Sequence, residues 1–137
     1  ITYKLYFMDI KLLEIASDIK YTKKLSIFSH SANKRNSICG DKIIIKLNVK
    51  KKVIKEIQYE TKSCIYCQAS ASFLSEHFIN KNVKLVAETL DTINRYYKGQ
   101  IKIMNKAFVK IFNKDNFKRK ECVYLPARAF FDALKLK

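Results

Sequence analysis

A chain of 137 residues and 16.1 kDa has room for one domain with its own core, so neither disulfides nor metal are needed merely to make it fold. Hydrophobic residues at 48% and aromatics at 12% exclude intrinsic disorder. The net charge of +16 invites a nucleic-acid or anionic-membrane partner, but 24 of the 28 basic residues are lysines scattered over every segment, which reads as a solvated surface.

From the N-terminus, Asp9 to Ile19 carries Ile10, Leu13 and Ala16, with Leu12, Ile15 and Ile19 beside them. Their spacing of three and four predicts an amphipathic helix. Residues Tyr21 to Asn36 are mixed and polar and read as a loop with room for one short edge strand. Ile43, Ile45, Leu47 and Val49 then alternate with Ile44, Lys46, Asn48 and Lys50. Val53, Lys55, Ile57 and Tyr59 likewise alternate with Ile54, Glu56, Gln58 and Glu60. The short Lys50-Lys51-Lys52 link predicts an antiparallel hairpin with one apolar and one solvated face.

After Cys64 the period changes to that of a helix, with Tyr66, Ala69, Phe73, Leu74 and Phe78 on one face and Ser70, Ser72, Ser75 and Glu76 elsewhere. A break at Asn80-Lys81-Asn82 precedes a further helix marked by Val86, Leu90, Ile93 and Tyr97, and Gly99 falls where a C-terminal helix stop is expected. Residues Gln100 to Asn116 are poorly periodic and read as helix then loop. A last helix starts near Cys122, with Pro126 suited to its first turn and Ala129, Phe130, Ala133 and Leu134 as its apolar stripe. The sum is one α+β domain over residues 1–137: a small antiparallel sheet of about three strands with helices packed on one face.

The cysteines carry the chemistry. Cys39 lies just before the first hairpin strand, in Cys39-Gly40-Asp41, and Cys64 lies just after the second. The start of one antiparallel strand and the end of its neighbour share a sheet edge, so Cys39, Asp41 and Cys64 are expected together. Cys122 joins them if the last helix points its N-terminus at that edge. A helix N-terminus favours thiolate over thiol, as do Lys62, Arg119 and Lys120 nearby in sequence. Three thiolates and a carboxylate form a four-ligand set for zinc, iron or a small iron–sulfur cluster. Four cysteines in a chain that needs no staples point to a reducing compartment.

Cys39-Gly40-Asp41, an alternating hairpin, Cys64 followed by Gln68-Ala69-Ser70-Ala71-Ser72, and a late Cys122 in Glu121-Cys122-Val123-Tyr124-Leu125 resemble the NifU/IscU/SufU family of iron–sulfur cluster scaffolds. The resemblance runs from about Ile10 to Leu134. It leans to the SufU and NifU side, because a Leu-Pro-Pro-Val-Lys motif is missing before the last cysteine. It implies a SufE/NifU-like fold and Cys39, Cys64 and Cys122 as cluster or metal ligands, with Asp41 as the oxygen neighbour that keeps the cluster transferable. It also implies a transient cluster of the two-iron type, a cysteine desulfurase as sulfur donor, apo iron–sulfur proteins as acceptors, and a cytoplasmic setting.

Three departures accompany it. Ser63 stands where many relatives have glycine, and Glu121 stands where one branch has histidine. Cys67 is an extra thiol. The fourth position is thereby left to Asp41, Glu121, Cys67 or an incoming ligand, although Cys67 reads first as a small hydrophobe packed in the helix. His77, beside Phe73, Leu74 and Phe78, and His30, in the polar loop, read as non-ligands.

No apolar run reaches membrane-span length, and the N-terminus lacks the order of a signal peptide. The start at Ile1 rather than Met leads us to expect a few residues ahead of it. With only Gly40 and Gly99, a glycine-rich phosphate loop is excluded. The leading expectation is a non-enzymatic scaffold that meets neither nucleic acid nor membrane. The first alternative is a zinc-containing sulfurtransferase of the SufU type that accepts persulfide on one thiol. A basic nucleic-acid-binding module is the lesser one and rests on charge alone.

Overall fold

The computed structural model describes residues 10, 12–37, 40–102, 106–113 and 119–136. Cys39, the first of the expected ligands, lies outside these residues. Three strands form an antiparallel sheet in the order β1-β2-β3, with β1 at His30–Arg35, β2 at Lys42–Lys50 and β3 at Val53–Lys62. Three α-helices follow: α1 at Ile65–Phe78, α2 at Val83–Tyr97 and α3 at Lys120–Ala133. α3 lies across β1 and β2, and α1 lies against β3 and α3. The expected α+β architecture holds.

The β2–β3 hairpin closes through Lys51 and Lys52, whose φ angles of 52° and 64° give the left-handed two-residue turn that matches strand twist. Ile43, Ile45 and Leu47 are fully buried beneath the helices, as alternation requires. On β3 the alternation shifts. Leu47 faces Ile57 and Asn48 faces Glu56, but Val49 faces Ile54, which leaves Lys55 opposite no residue. This one-residue bulge turns Ile54 into the core and displaces Val53 from it, reversing the expected face of both. The outer edge of β3 is covered by the preceding segment: Tyr59 N–H donates to Tyr21 O, and Leu25 N–H donates to the Gln58 amide oxygen.

The polar stretch before β2 contains the edge strand β1. Residues 12–16 are helical, but the helix stops short of Ile19, which is exposed, and it buries Leu12 rather than Leu13. Asn82 caps α2 by accepting the Lys84 N–H at 2.8 Å, and Gly99 adopts φ +75° one residue past its C-cap, as expected. Within Gln100–Asn116, the described residues hold one short 3-10 turn, Phe108–Lys110, rather than a helix. Pro126 sits inside α3, in its second turn, not in the first. It has no N–H to offer the Cys122 carbonyl four residues earlier.

Ser70, Ser72 and Ser75, placed off the apolar face by the sequence, are all buried along with Ala69 and Ala71. α1 is packed on nearly every side, so small side chains rather than an apolar stripe set its neighbours' distance. No helix of the described residues is long and apolar enough to cross a membrane.

Candidate metal centre

Two strand ends and two helix starts converge at one edge of the sheet. Lys42 and Lys62 are cross-strand partners, so Asp41, just before β2, and Ser63-Cys64, just after β3, leave the sheet side by side. Asp41 is held from its own loop: Asn36 N–H donates to Asp41 O at 2.7 Å, and Gly40 N–H donates to Asn36 O at 2.8 Å. Gly40 meets this turn with φ +75°, a backbone conformation that costs glycine little.

The Asp41 side chain is buried and turns toward Cys64. One carboxylate oxygen accepts the Cys64 backbone N–H at 3.2 Å, and the other accepts the Cys64 thiol at 3.4 Å. Cys64 is half-buried and is the N-cap of α1, with no side-chain cap bond of its own. Cys122 is buried in the first turn of α3. One carboxylate oxygen of Asp41 and the sulfurs of Cys64 and Cys122 all lie within 4.8 Å of one another. Ligands of a single tetrahedral ion stand about 3.5–4 Å apart, so a small inward movement suffices to close the three around a metal.

The start of α3 is held beside the start of α1 by a buried bond. Ser70 Oγ donates to the carbonyl of Val123, the residue after Cys122, at 2.6 Å. Gln68 Nε2 donates to Ser63 O at 2.9 Å and fixes the turn that leads into Cys64. Neither residue was expected to position the site. The signal for Ser70 was the small-residue run Ala69-Ser70-Ala71-Ser72, which suits a place where backbones approach closely. Tyr124 Oη donates to the Asn94 side-chain oxygen at 2.7 Å and ties α3 to α2.

The remaining candidates separate clearly. Glu121 is exposed and is not among the grouped ligand atoms. Cys67 is wholly buried in the third position of α1, where burial pushes its thiol up to about 12 despite hydrogen bonds from Ser63 and Thr61. It packs as a core residue, as expected. His30 starts β1 opposite Leu47, whereas the site lies at the Arg35–Lys42 end of that strand pair. His77 stacks among Phe73, Phe78 and Phe108, and burial lowers its pKa. Ser63 keeps a negative φ, so no glycine is required before Cys64. The rim is basic: Lys62 and Lys120 are exposed, and Arg119 lies over the Tyr66 ring at 5.9 Å.

The geometry can be set beside known proteins. The iron–sulfur cluster assembly scaffold protein IscU of Thermotoga maritima is 28% identical over 89 residues, 65% of this chain and 63% of that relative. The chain thus matches less than two thirds of the relative's length. Two crystal structures share the fold. One, from Fervidobacterium islandicum AW-1 and described as an iron–sulfur cluster assembly scaffold for the SUF system, superposes with a TM-score of 0.81 at 19% identity, covering 90% of this chain and 93% of that one. The other, the N-terminal part of a NifU-like protein from Brucella abortus, gives 0.80 at 22% identity, covering 91% and 90%. The family model described as the NifU-like N terminal domain matches residues 17–108, more than half of the chain. The chain belongs to the NifU-like N-terminal domain family.

Proposed function

We propose that this protein is a scaffold on which an iron–sulfur cluster is assembled by Cys39, Cys64, Cys122 and Asp41 and from which it is passed to apo acceptor proteins. The observation that carries this reading is the convergence of the Asp41, Cys64 and Cys122 ligand atoms within 4.8 Å at one sheet edge. Family membership and the scaffold relative support the same role, and Cys39 stands two residues before Asp41 in the sequence.

The donor set suits a cargo that must leave again. Soft thiolates hold iron and sulfide firmly, while a carboxylate oxygen forms a weaker bond to the same iron and is the first to exchange. Two helix N-termini aim their partial positive charge at the group, and basic side chains rim it, which offsets the negative charge of a thiolate-bound cluster. Sulfur reaches the thiols as persulfide from a cysteine desulfurase, and the chemistry is ligand exchange rather than turnover of a small-molecule substrate. A cluster of the two-iron type fits three thiolates and one oxygen.

Anaerobic loading of the full chain with ferrous iron and sulfide tests this. The expected result is a coloured, thiolate-ligated species that transfers to an apo ferredoxin. Tight stoichiometric zinc that resists iron and sulfide, together with stimulation of a desulfurase, would overturn it in favour of a zinc sulfurtransferase.

A further inference from the structure

The proposed ligand set leaves one thiol unused, three residues from a thiol it does use. Cys64 is the N-cap of α1 and Cys67 its third residue, and the first helical bond, Gln68 N–H to Cys64 O at 3.1 Å, is already formed between them. These are the positions of a capping box, where the side chain of the third helical residue reaches back to the cap. The Cβ atoms of residues three apart on a helix stand roughly 5–6 Å from each other, so a closing movement of about 1–2 Å brings such a pair to disulfide separation.

The surroundings of Cys67 also differ from those of an ordinary core thiol. The Thr61 hydroxyl lies 3.9 Å from the Cys67 sulfur and is itself hydrogen-bonded to Ser63. Hydroxyls beside a sulfur can support the negative charge that builds on it during exchange. The two thiols are unequal in access: Cys64 is half-buried, and Cys67 is sealed from solvent. An outside sulfur donor can therefore reach Cys64, while Cys67 meets only what Cys64 carries.

We infer that Cys67 is the resolving thiol of Cys64, converting sulfur delivered to Cys64 into free sulfide at the site. This deepens the scaffold reading and rests on it for the identity of the delivered group. In the step, the Cys67 sulfur attacks the Cys64 sulfur of a Cys64–S–SH persulfide. The Cys64–Cys67 bond forms, the terminal S–S bond breaks, and the outer sulfur leaves as hydrosulfide, taking the Cys67 proton to give hydrogen sulfide. The sulfane sulfur gains two electrons and the thiol pair loses two. Closeness compensates for a buried thiol's low reactivity, since neighbouring groups react as if at very high local concentration. An external thiol then reduces the disulfide, one disulfide of that thiol forming per pair restored. While the disulfide lasts, Cys64 cannot ligate metal, so sulfide release and cluster holding alternate.

Mass spectrometry of the full, metal-free chain tests the inference in two arms. In the first, the reduced protein is treated with glutathione disulfide and its cysteines are mapped. The wild type should yield a Cys64–Cys67 disulfide, whereas Cys67→Ala and Cys67→Ser should retain glutathione on Cys64. In the second, inorganic polysulfide loads a persulfide on Cys64. Wild type should release sulfide without added reductant, at least about tenfold faster than either variant, since an intramolecular partner is lost. Mapping the wild type alone keeps the test valid if the variants do not fold. A mixed disulfide or persulfide that persists on wild-type Cys64, or a disulfide to another cysteine, would overturn the inference. Iron and sulfide loading run in parallel separates the two readings. Normal loading without a Cys64–Cys67 bond sinks the resolving role alone, while the bond without loading sinks the scaffold reading and leaves only a dithiol pair.

Discussion

Cys64 and His77 stand at opposite ends of α1, about 20 Å apart along its axis, and both are residue types that bind metals. At the Cys64 end, two strand ends and a second helix start bring a carboxylate and another thiol to the same point. At the His77 end, the half-buried ring lies 4.5 Å from Phe108 and 6.0 Å from Phe73 and packs against the aromatic cluster. There the nearby Asn80-Lys81-Asn82 turn bonds back to the start of β3 through its backbone, with Ile54 N–H donating to Lys81 O and Asn80 N–H to Ile54 O. A potential ligand becomes part of a site only where the topology delivers partners to it. The end of the helix matters too, because an N-terminus presents N–H groups and positive partial charge to an anionic ligand set.

The contrast can be broken most directly by exchanging which end is damaged. Cys64→Ser should abolish anaerobic cluster loading, read as the lost visible absorbance, while thermal stability changes little. His77→Phe should load normally. Equal loss in both would refute the division between the ends. Phe78→Ala should have the reverse profile: removing a fully buried ring that packs edge-on to Phe130 costs about 3–5 kcal/mol in urea unfolding. Whatever fraction remains folded should still bind metal.

Ser70→Ala sharpens the comparison, since it lies between the ends yet is tied to the site. Losing the bond to the Val123 carbonyl removes a buried hydrogen bond and should cost about 0.5–1.5 kcal/mol. If this bond positions Cys122, cluster retention should also drop at temperatures where the variant is still folded. Retention that follows only the melting curve would make Ser70 a packing residue and no more.

The smallest effect concerns acid. Burial first, and then the charge of Lys81, lower the pKa of His77 below its ordinary value near 6.5. The unfolded chain then binds this proton more readily than the folded one. Stability due to this group is complete above about pH 6.5 and declines as the pH falls below it. His77→Phe should flatten the melting temperature between pH 7 and 5.5 by a small margin relative to wild type. An unchanged slope would show that the ring is not held neutral.

Much of the fold was legible because its elements are regular. Alternation from Ile43 to Val49 marked β2, spacing from Val86 to Tyr97 marked α2, and Asn82 and Gly99 marked its ends. What escaped was irregular or relational. The bulge opposite Asn48 and Val49 inserts one residue, and a period of two cannot survive an insertion, so Ile54 and Val53 exchanged faces. Pro126 was misplaced because a proline is tolerated at a helix start but is also found inside a packed helix. Ser70, Ser72 and Ser75 were set off the apolar face because polarity is local information, whereas their burial depends on helices and strands distant in sequence.

The candidate site divides in the same way. Motif spacing by itself determined that Asp41 and Cys64 flank one antiparallel hairpin, because paired strands necessarily bring the start of one to the end of the other. Only the tertiary structure decided that Cys122, 58 positions beyond Cys64, joins them, since that depends on how α3 packs across the sheet and on the Ser70–Val123 bond that sets its start. It also decided that the group of ligand atoms is Asp41, Cys64 and Cys122, without Cys67. Local periodicity specifies what each element is, and long-range burial specifies which of its side chains meet.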